Sequence, residues 1–448
     1  MTPGAQIQES IEALKIHEGL LEEGRFVPAD RVLQGFFRDR RYMGSGDRRQ
    51  VASYYYAAIR HRQTLAWWLE RVTGRLEEAF SLSDKCRWSI FAHGILEKEW
   101  SVGFLKTLCV GEYHPTPLTP REEKSLKTLE GQEGWYHPQM PSWVRGNYPE
   151  FLDPFFRHRF GDQKDVETDA LMGEAPLDLR VNPLKTTVRA AEEELHYEGI
   201  STTPTPFSPL GLRIEGRPPL SQMPIYKDGL IEIQDGASQL VTLLTQAQPG
   251  QAVLDLCAGA GGKTLGLAAT MKNKGTLIAT DIYEKRLTEG KLRLRRGGVH
   301  NVQTRLIDPE NDPWLKRQAG RFDRVLVDAP CSGSGTWRRN PDLRWRFTSG
   351  DLEKILGEQR DILNRAAPLV KKGGRLVYAT CSLLDMENEH QIDSFLKEHP
   401  AFKVLSIQDI WKEVLPGECP SSGPFLKTTP HQHGVDGFFA AVLEAPSS

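Results

Sequence analysis

Asp255, Asp281, Asp308 and Asp328, together with Cys331 and Cys381, stand at the ends of apolar runs, where an α/β chain keeps its chemistry. In VLDLCAGAGGKTLGLA, from Val253 to Ala268, the first run ends at Asp255 and opens into a glycine turn. The centre, GAGGKT, imitates the phosphate-gripping loop of ATPases. That loop needs Gly, four free residues, then Gly-Lys-Ser/Thr. Counting back five from Gly262 gives Cys257, so the pattern fails at its first position. The dinucleotide fingerprint also fails, because a third Gly would be needed where Thr264 stands. What remains is a buried strand, a tight turn and a helix start. This arrangement holds a nucleoside-bearing ligand at the carboxyl end of a strand. Asp281, closing TLIATD one strand over, can accept both hydroxyls of a ribose, and Asp308 can meet the adenine end. Thr264 and Asp328 could also serve a magnesium nucleotide, so the carboxylates alone leave ATP open.

The cysteines narrow the choice. Cys331 lies in DAPCSGSGTWRRNPDLRW and Cys381 in YATCSLLDMENEH, each just past a strand tip amid Asp, Ser and Gly. Cys86, Cys109 and Cys257 read as ordinary buried thiols. A thiol becomes a nucleophile when its pKa falls from about 8.5, which helix N-termini and nearby Arg or Lys achieve. Arg338 and Arg339 are candidates for that task if their loop folds back. No two of the six cysteines form a CxxC pair, so neither zinc nor a disulfide framework is expected. His431 and His433 read as surface or packing residues, and no metal is expected.

An alternating sheet must position these groups. From about residue 229, strands VLDLC, TLIATD (276–281), VQTRLID (302–308), RVLVDAP (324–330) and RLVYATC (375–381) alternate with helices near 263–271, 284–297 and 351–366. FKVLSI and GFFAAVLEA finish a mostly parallel, seven-stranded sheet covered on both faces. Residues 1–140 read as helical, with Asp47 as an N-cap and a proline-punctuated loop region at 111–142. Residues 141–228 read as a small α+β module, with strands at 177–181 and 211–216 and a helix at 188–199. The expected domains are therefore 1–140, 141–228 and 229–448.

At 39% hydrophobic and 26% charged, the 448 residues suit an ordinary globular protein of about three domains. The polar N-terminal segment predicts no signal peptide, and no apolar run approaches the ~20 residues of a membrane span. A cytoplasmic protein with no membrane partner is expected. A net charge of −2 announces no nucleic acid, but local clusters do. Arg38, Arg40, Arg41, Arg48, Arg49, Arg60 and Arg62 crowd a stretch containing Tyr42, Tyr54, Tyr55 and Tyr56, and Lys285 to Arg296 is basic. Arg338, Arg339, Arg344 and Arg346 flank Trp337 and Trp345. Basic clusters interleaved with aromatics tilt towards RNA or DNA.

At these motifs the sequence resembles the RsmB branch of the Nop/Sun RNA 5-methylcytosine methyltransferases. DLCAGAGGKT, DAPCSGSGTWRRNPDLRW, ATCSLLDMENE and HGVDGFF match that family's motifs in order and spacing. APLDLRVNPLK and GLIEIQDGASQL match its smaller module, and ADRVLQGFFRDRRYMGSGDRRQVA looks like its NusB-like helical domain. Ala260 stands where many members have Pro, and Asp385-Met386 replaces a more usual Pro-Glu.

The resemblance implies a Rossmann-like class I methyltransferase domain behind an all-α NusB-like domain and the α+β module, the latter two binding RNA. It implies S-adenosylmethionine as cofactor, held by Cys257, Ala258, Gly259, Ala260, Gly261, Gly262, Lys263, Asp281, Asp308 and Asp328. Cys381 is then the nucleophile that adds to carbon 6 of cytosine, Cys331 assists product release, and Asp328 hydrogen-bonds the target base. Arg338, Arg339 and Trp337 would hold the RNA strand by phosphate contact and stacking. The implied substrate is 16S ribosomal RNA, and the implied oligomeric state is a monomer. A transfer-RNA cytosine-5 methyltransferase and a non-catalytic ribosome-assembly RNA-binding protein are the alternatives.

Overall fold

A computed structural model describes residues 1–132, 134–308 and 312–447. The chain divides into two compact units. One comprises Met1–Gly173 and Trp337–Thr348, the other Glu174–Thr336 and Ser349–Ser448.

The first unit is helical. Its helices include Pro3–Glu22, Ser45–Arg60, Arg62–Thr73 and Leu82–Lys98. Apolar residues three and four apart, such as Ile7, Ile11 and Leu14 or Leu65, Trp68 and Leu69, are buried in one core with Tyr55 and Phe91. Asp47 sits one turn inside its helix, whose N-cap is Gly44, and its carboxylate accepts the Gly44 N–H at 3.1 Å. Gly44 and Gly46 hid that early start, since glycine reads as a helix breaker. The stretch read as loop at 111–142 holds the helix Pro120–Glu130. Thr119 and Glu122 form a capping box, and Pro120 takes the first position, where a missing N–H costs nothing.

The second unit contains two sheets. Strands β1 (Leu177–Val181), β2 (Thr202–Pro204), β3 (Gly211–Ile214) and β4 (Ile231–Ile233) form an antiparallel sheet in the order β2-β3-β1-β4. The larger sheet is built from β5 (Ala252–Asp255), β6 (Thr276–Asp281), β7 (Val302–Leu306), β8 (Phe322–Asp328), β9 (Val370–Thr380), β10 (Lys403–Leu405), β11 (Leu426–Thr428) and β12 (Phe438–Glu444). Its order is β10-β12-β9-β8-β5-β6-β7, with β11 on β12. Among the described residues it thus has eight strands where seven are expected, because β11 directly follows the turn-forming stretch CPSSGPF, which reads as loop. Strands β5 to β9 run parallel, and β10, β11 and β12 are antiparallel additions. Successive residues face opposite sides. Val253, Leu277, Leu326 and Val377 enter one core, and Leu254, Ile278, Val325 and Leu376 enter the other. That double burial produces the continuous apolar runs in the sequence.

From β5 the chain steps outward through β6 to β7, then returns to place β8 on the other side of β5. The carboxyl ends of β5 and β8 therefore flank the point where strand order reverses, which is where such sheets bind ligands.

Candidate active site

The glycine turn after β5 is held in shape by its neighbours. Gly259 and Gly261 adopt φ of +54° and +79°, left-handed values that cost side-chain-bearing residues about 1–2 kcal/mol. A Cβ on Gly259 would meet no atom within 4 Å, so open space adjoins the turn. Asp281, at the tip of β6, accepts the Gly259 N–H at 2.9 Å and the Tyr283 N–H at 2.8 Å. From the other side, Arg180 of β1 donates to the Gly262 carbonyl at 2.8 Å. Arg293 donates to the Ala260 carbonyl at 3.0 Å. Arg293 and Arg296 also pair with Glu232 of β4, so Arg293 links the turn to that strand within the unit. Sequence reading missed Arg180, whose only signal is a charge inside the apolar strand LDLRV.

Carboxylates converge beside that space. Asp255 is fully buried. One oxygen accepts the Thr264 hydroxyl at 2.7 Å, and the other has no partner among the described residues. Burial pushes its carboxyl up to about 7, and the charges of Asp328 and Asp281 add to the shift. Asp328, at the tip of β8, pairs with Lys263 Nζ at 2.7 Å. Asp308 is exposed two residues beyond β7, and the Ile307 N–H before it donates to the Asp281 carbonyl at 3.1 Å. Asp281 at the β6 tip, a left-handed glycine turn opening on free space, and Asp328 at the β8 tip stand together where an open α/β sheet receives a nucleoside-bearing ligand. The Cys257 thiol is pushed well above its ordinary value by burial, so it offers packing and backbone and no nucleophile.

The two candidate cysteines meet. Cys331 Sγ lies 3.4 Å from Cys381 Sγ, both half-buried. Asp328 pairs in register with Ala379, which puts the β8 and β9 tips side by side, and the Gly335 N–H donates to the Cys381 carbonyl at 2.9 Å. The hydrogen bond to Cys381, and then burial, holds the Cys331 thiol well above its ordinary value. The two sulfurs are within hydrogen-bonding reach, and either can donate to the other. The charges that act most on Cys331 are those of Cys381 and Glu387, and both oppose ionisation. Arg338 and Arg339, expected to ease it, belong to the helical unit.

The RNA-contact trio is placed differently from its expectation. Trp337 is 1% exposed, edge-on to Phe156 at 5.8 Å and covered by the Arg344 guanidinium at 5.0 Å. A ring so enclosed has no free face for a base. Arg344 is itself buried and donates to the Asn147 and Leu171 carbonyls at 3.0 Å each. Arg338 is buried, and Arg339 is half-exposed. Trp337, Arg338 and Arg344 are therefore packing residues of the helical unit.

Comparison with known proteins gives a consistent picture. A family model described as 16S rRNA methyltransferase RsmB/F matches residues 241–444, and one described as an RsmF/B-like ferredoxin-like domain matches residues 148–221. A probable ribosomal RNA small subunit methyltransferase B of Synechocystis is 35% identical over 66% of this chain and 67% of its own. The ribosomal RNA small subunit methyltransferase B of Pectobacterium carotovorum is 29% identical over 80% of this chain and 85% of its own. A solved methyltransferase homolog from Pyrococcus horikoshii superposes with a TM-score of 0.58 at 29% identity, covering 69% of this chain and all of that one.

Proposed function

The chain belongs to the RsmB/F family of ribosomal RNA small subunit methyltransferases, and from that premise we propose that it forms 5-methylcytosine in 16S ribosomal RNA, with S-adenosylmethionine as cofactor. The cofactor supplies an electrophilic methyl group. The glycine turn and Asp281 would hold its ribose, and Asp308 would lie towards its adenine. Residues 1–140 and 141–228 would engage RNA, with 229–448 carrying the chemistry. Within the RNA-contact trio, half-exposed Arg339 is the residue suited to reach a phosphate. No described helix is long and apolar enough to cross a membrane, and the reading takes the protein as a cytoplasmic monomer.

Carbon 5 of cytosine is a poor nucleophile. Cys381 Sγ adds to carbon 6, breaks the ring's conjugation and moves electron density onto carbon 5. Asp328 hydrogen-bonds the base and shares the proton that N3 needs as density builds. Lys263, paired with Asp328, keeps that carboxylate oriented. Cys331 serves the last stage, when the carbon 5 proton leaves and Cys381 is expelled. The base must leave its stack to reach Cys381, at a cost of a few kcal/mol.

The 3.4 Å contact between the two sulfurs at neighbouring strand tips carries this reading. Its test is a pair of substitutions. Cys381→Ala should abolish methyl transfer while cofactor binding survives. Cys331→Ala should trap a covalent RNA–protein species on a denaturing gel. The reverse pattern, trapping by Cys381→Ala, would assign the attack to Cys331. Bisulfite sequencing of ribosomal and transfer RNA, with and without the protein, identifies the substrate.

A further inference from the structure

We propose that Glu387 is a positioning residue that ties the two cysteine-bearing loops together and so sets the distance between Cys331 and Cys381. The proposal rests on the reading above, in which these thiols react. Glu387 is fully buried in a short helical turn, Asp385–Glu387, that follows Cys381. One carboxylate oxygen accepts the hydroxyls of both Ser332 and Ser382. The other accepts the Ser332 N–H at 2.8 Å and the Gln359 amide at 3.0 Å. An ionised carboxylate offers about four acceptor sites, and all are filled. Ser332 follows Cys331 and Ser382 follows Cys381, so one side chain is bonded to the residue after each thiol. Gln359 extends the tie to the residue before Cys331 by donating to the Pro330 carbonyl at 2.9 Å.

Ser334 ties the same loops again, and Gly335 packs against Gly437 just before β12. Ser334 bridges the hydroxyls of Ser332 and Ser382 at 3.1 and 3.2 Å and accepts the Leu383 N–H at 2.9 Å. Gly335 lies so close to Gly437 that a Cβ on it would meet the Gly437 carbonyl oxygen at 2.0 Å. Burying a carboxylate is costly unless every lone pair is satisfied, and apolar residues would fill such a space more cheaply. Here the satisfied carboxylate converges on the neighbours of both thiols. A group that only filled the core would have no reason to sit there. Burial also raises its carboxyl above the usual range against the pull of these hydrogen bonds. Ser332, Ser382 and Gln359 bond to its carboxylate, and the Tyr378 hydroxyl donates to its carbonyl at 2.7 Å.

The test measures the thiol pair directly in the full-length protein. Wild type, Glu387→Ala and Glu387→Gln are compared by thermal melting, by S-adenosylmethionine titration, and by the rate at which diamide joins Cys331 to Cys381, read by peptide mass spectrometry. Displacements near 1 Å at a reacting pair cost about 100-fold in rate, so joining should slow at least ~10-fold in Glu387→Ala, with kcat falling ~100-fold and cofactor affinity within about twofold. Glu387→Gln can donate to the two hydroxyls and accept from the two N–H groups, so it should rescue both rates to within ~3-fold. A folded Glu387→Ala protein that cross-links at the wild-type rate overturns the proposal. Should that variant fail to fold, the double variant Ser332→Ala with Ser382→Ala removes both hydroxyl ties and leaves the carboxylate in place. An unchanged cross-linking rate in that folded protein overturns the proposal equally. Full turnover by Cys381→Ala would remove the reading of the reacting thiols and leave the cross-linking result standing, so the two failures are separable.

Discussion

The helical unit and the sheet unit both bury polar side chains, and they do so in different company. In the helical unit some are fitted singly to aromatics, and others form a network in which Asp153 accepts from Ser142, Tyr148, Arg157 and Lys164. Among the described residues, neither ring nitrogen of buried His93 has a hydrogen-bond partner and His17 bonds to the Tyr55 hydroxyl, while Arg344 lies over the Trp337 ring. In the sheet unit they gather at adjacent strand tips. Asp255, Asp281 and Asp328 end β5, β6 and β8, and Cys331 and Cys381 follow β8 and β9. Burial alone therefore does not mark function. Convergence of several reactive groups on one end of a sheet does, because a ligand there can touch all of them.

Cysteines give the widest contrast. Cys381→Ala should lower methyl transfer by ~10⁴-fold or more, as loss of a covalent nucleophile does. Cys86 is as buried as any core residue of the helical unit, and burial pushes its thiol well above the ordinary value. Cys86→Ala should leave turnover within twofold and lower stability by about 1 kcal/mol. Single-turnover assays with urea unfolding check both. A rate loss in Cys86→Ala beyond its stability loss would break the contrast. Trp337 comes next. As a packing residue its replacement by Ala should cost the helical unit about 3–5 kcal/mol. At a temperature where the variant is folded, RNA affinity should be unchanged. Weakened RNA binding by a folded Trp337→Ala protein would restore the stacking role. Asp281→Ala removes an acceptor that holds two backbone N–H groups of the turn. Cofactor affinity should fall about 10- to 100-fold with RNA affinity intact, which calorimetry separates from a filter-binding titration.

These contrasts also mark what the sequence could say. Strands Leu177–Val181 and Thr276–Asp281 were legible to the residue, since the first alternates apolar and charged residues after Pro176 and the second is a short apolar run after Gly275. The convergence of Asp255, Asp281 and Asp328 followed from knowing that parallel strands align their carboxyl ends. The pairing of Cys331 with Cys381 was legible for the same reason, through strand-end position. Trp337 and Arg344 were misleading because an Arg/Trp cluster has one composition whether water or protein covers it. No local signal reveals that the chain leaves the sheet unit after Thr336, contributes Trp337–Thr348 to the helical unit, and returns at Ser349. Glu387 was invisible for a related reason. In MENEH it looks like a solvated helix start, and only its bonds to Ser332 and Gln359 show otherwise.

Acid should separate the two units with opposite sign. Burial, helped by Arg62 and Arg346, holds His17 down to about 4, and burial does the same to His93. The native state refuses protons that the unfolded chain binds below about pH 6.5, so this stability is present above 6.5 and lost as pH falls towards 4. Asp255 behaves the other way. The native state holds a proton, up to about pH 7, that the unfolded chain releases near pH 4. Its contribution is present below pH 4 and lost as pH rises through 7. Each group changes stability by at most about 1.4 kcal/mol per pH unit inside its window. Amide exchange in core peptides of each unit reads the two local stabilities separately. Between pH 6 and pH 5 the helical core should weaken by about 1 kcal/mol in wild type relative to His17→Gln. Over the same step the sheet core should strengthen by about 1 kcal/mol relative to Asp255→Asn. Weakening of both cores on acidification would show that Asp255 is ionised in the folded protein.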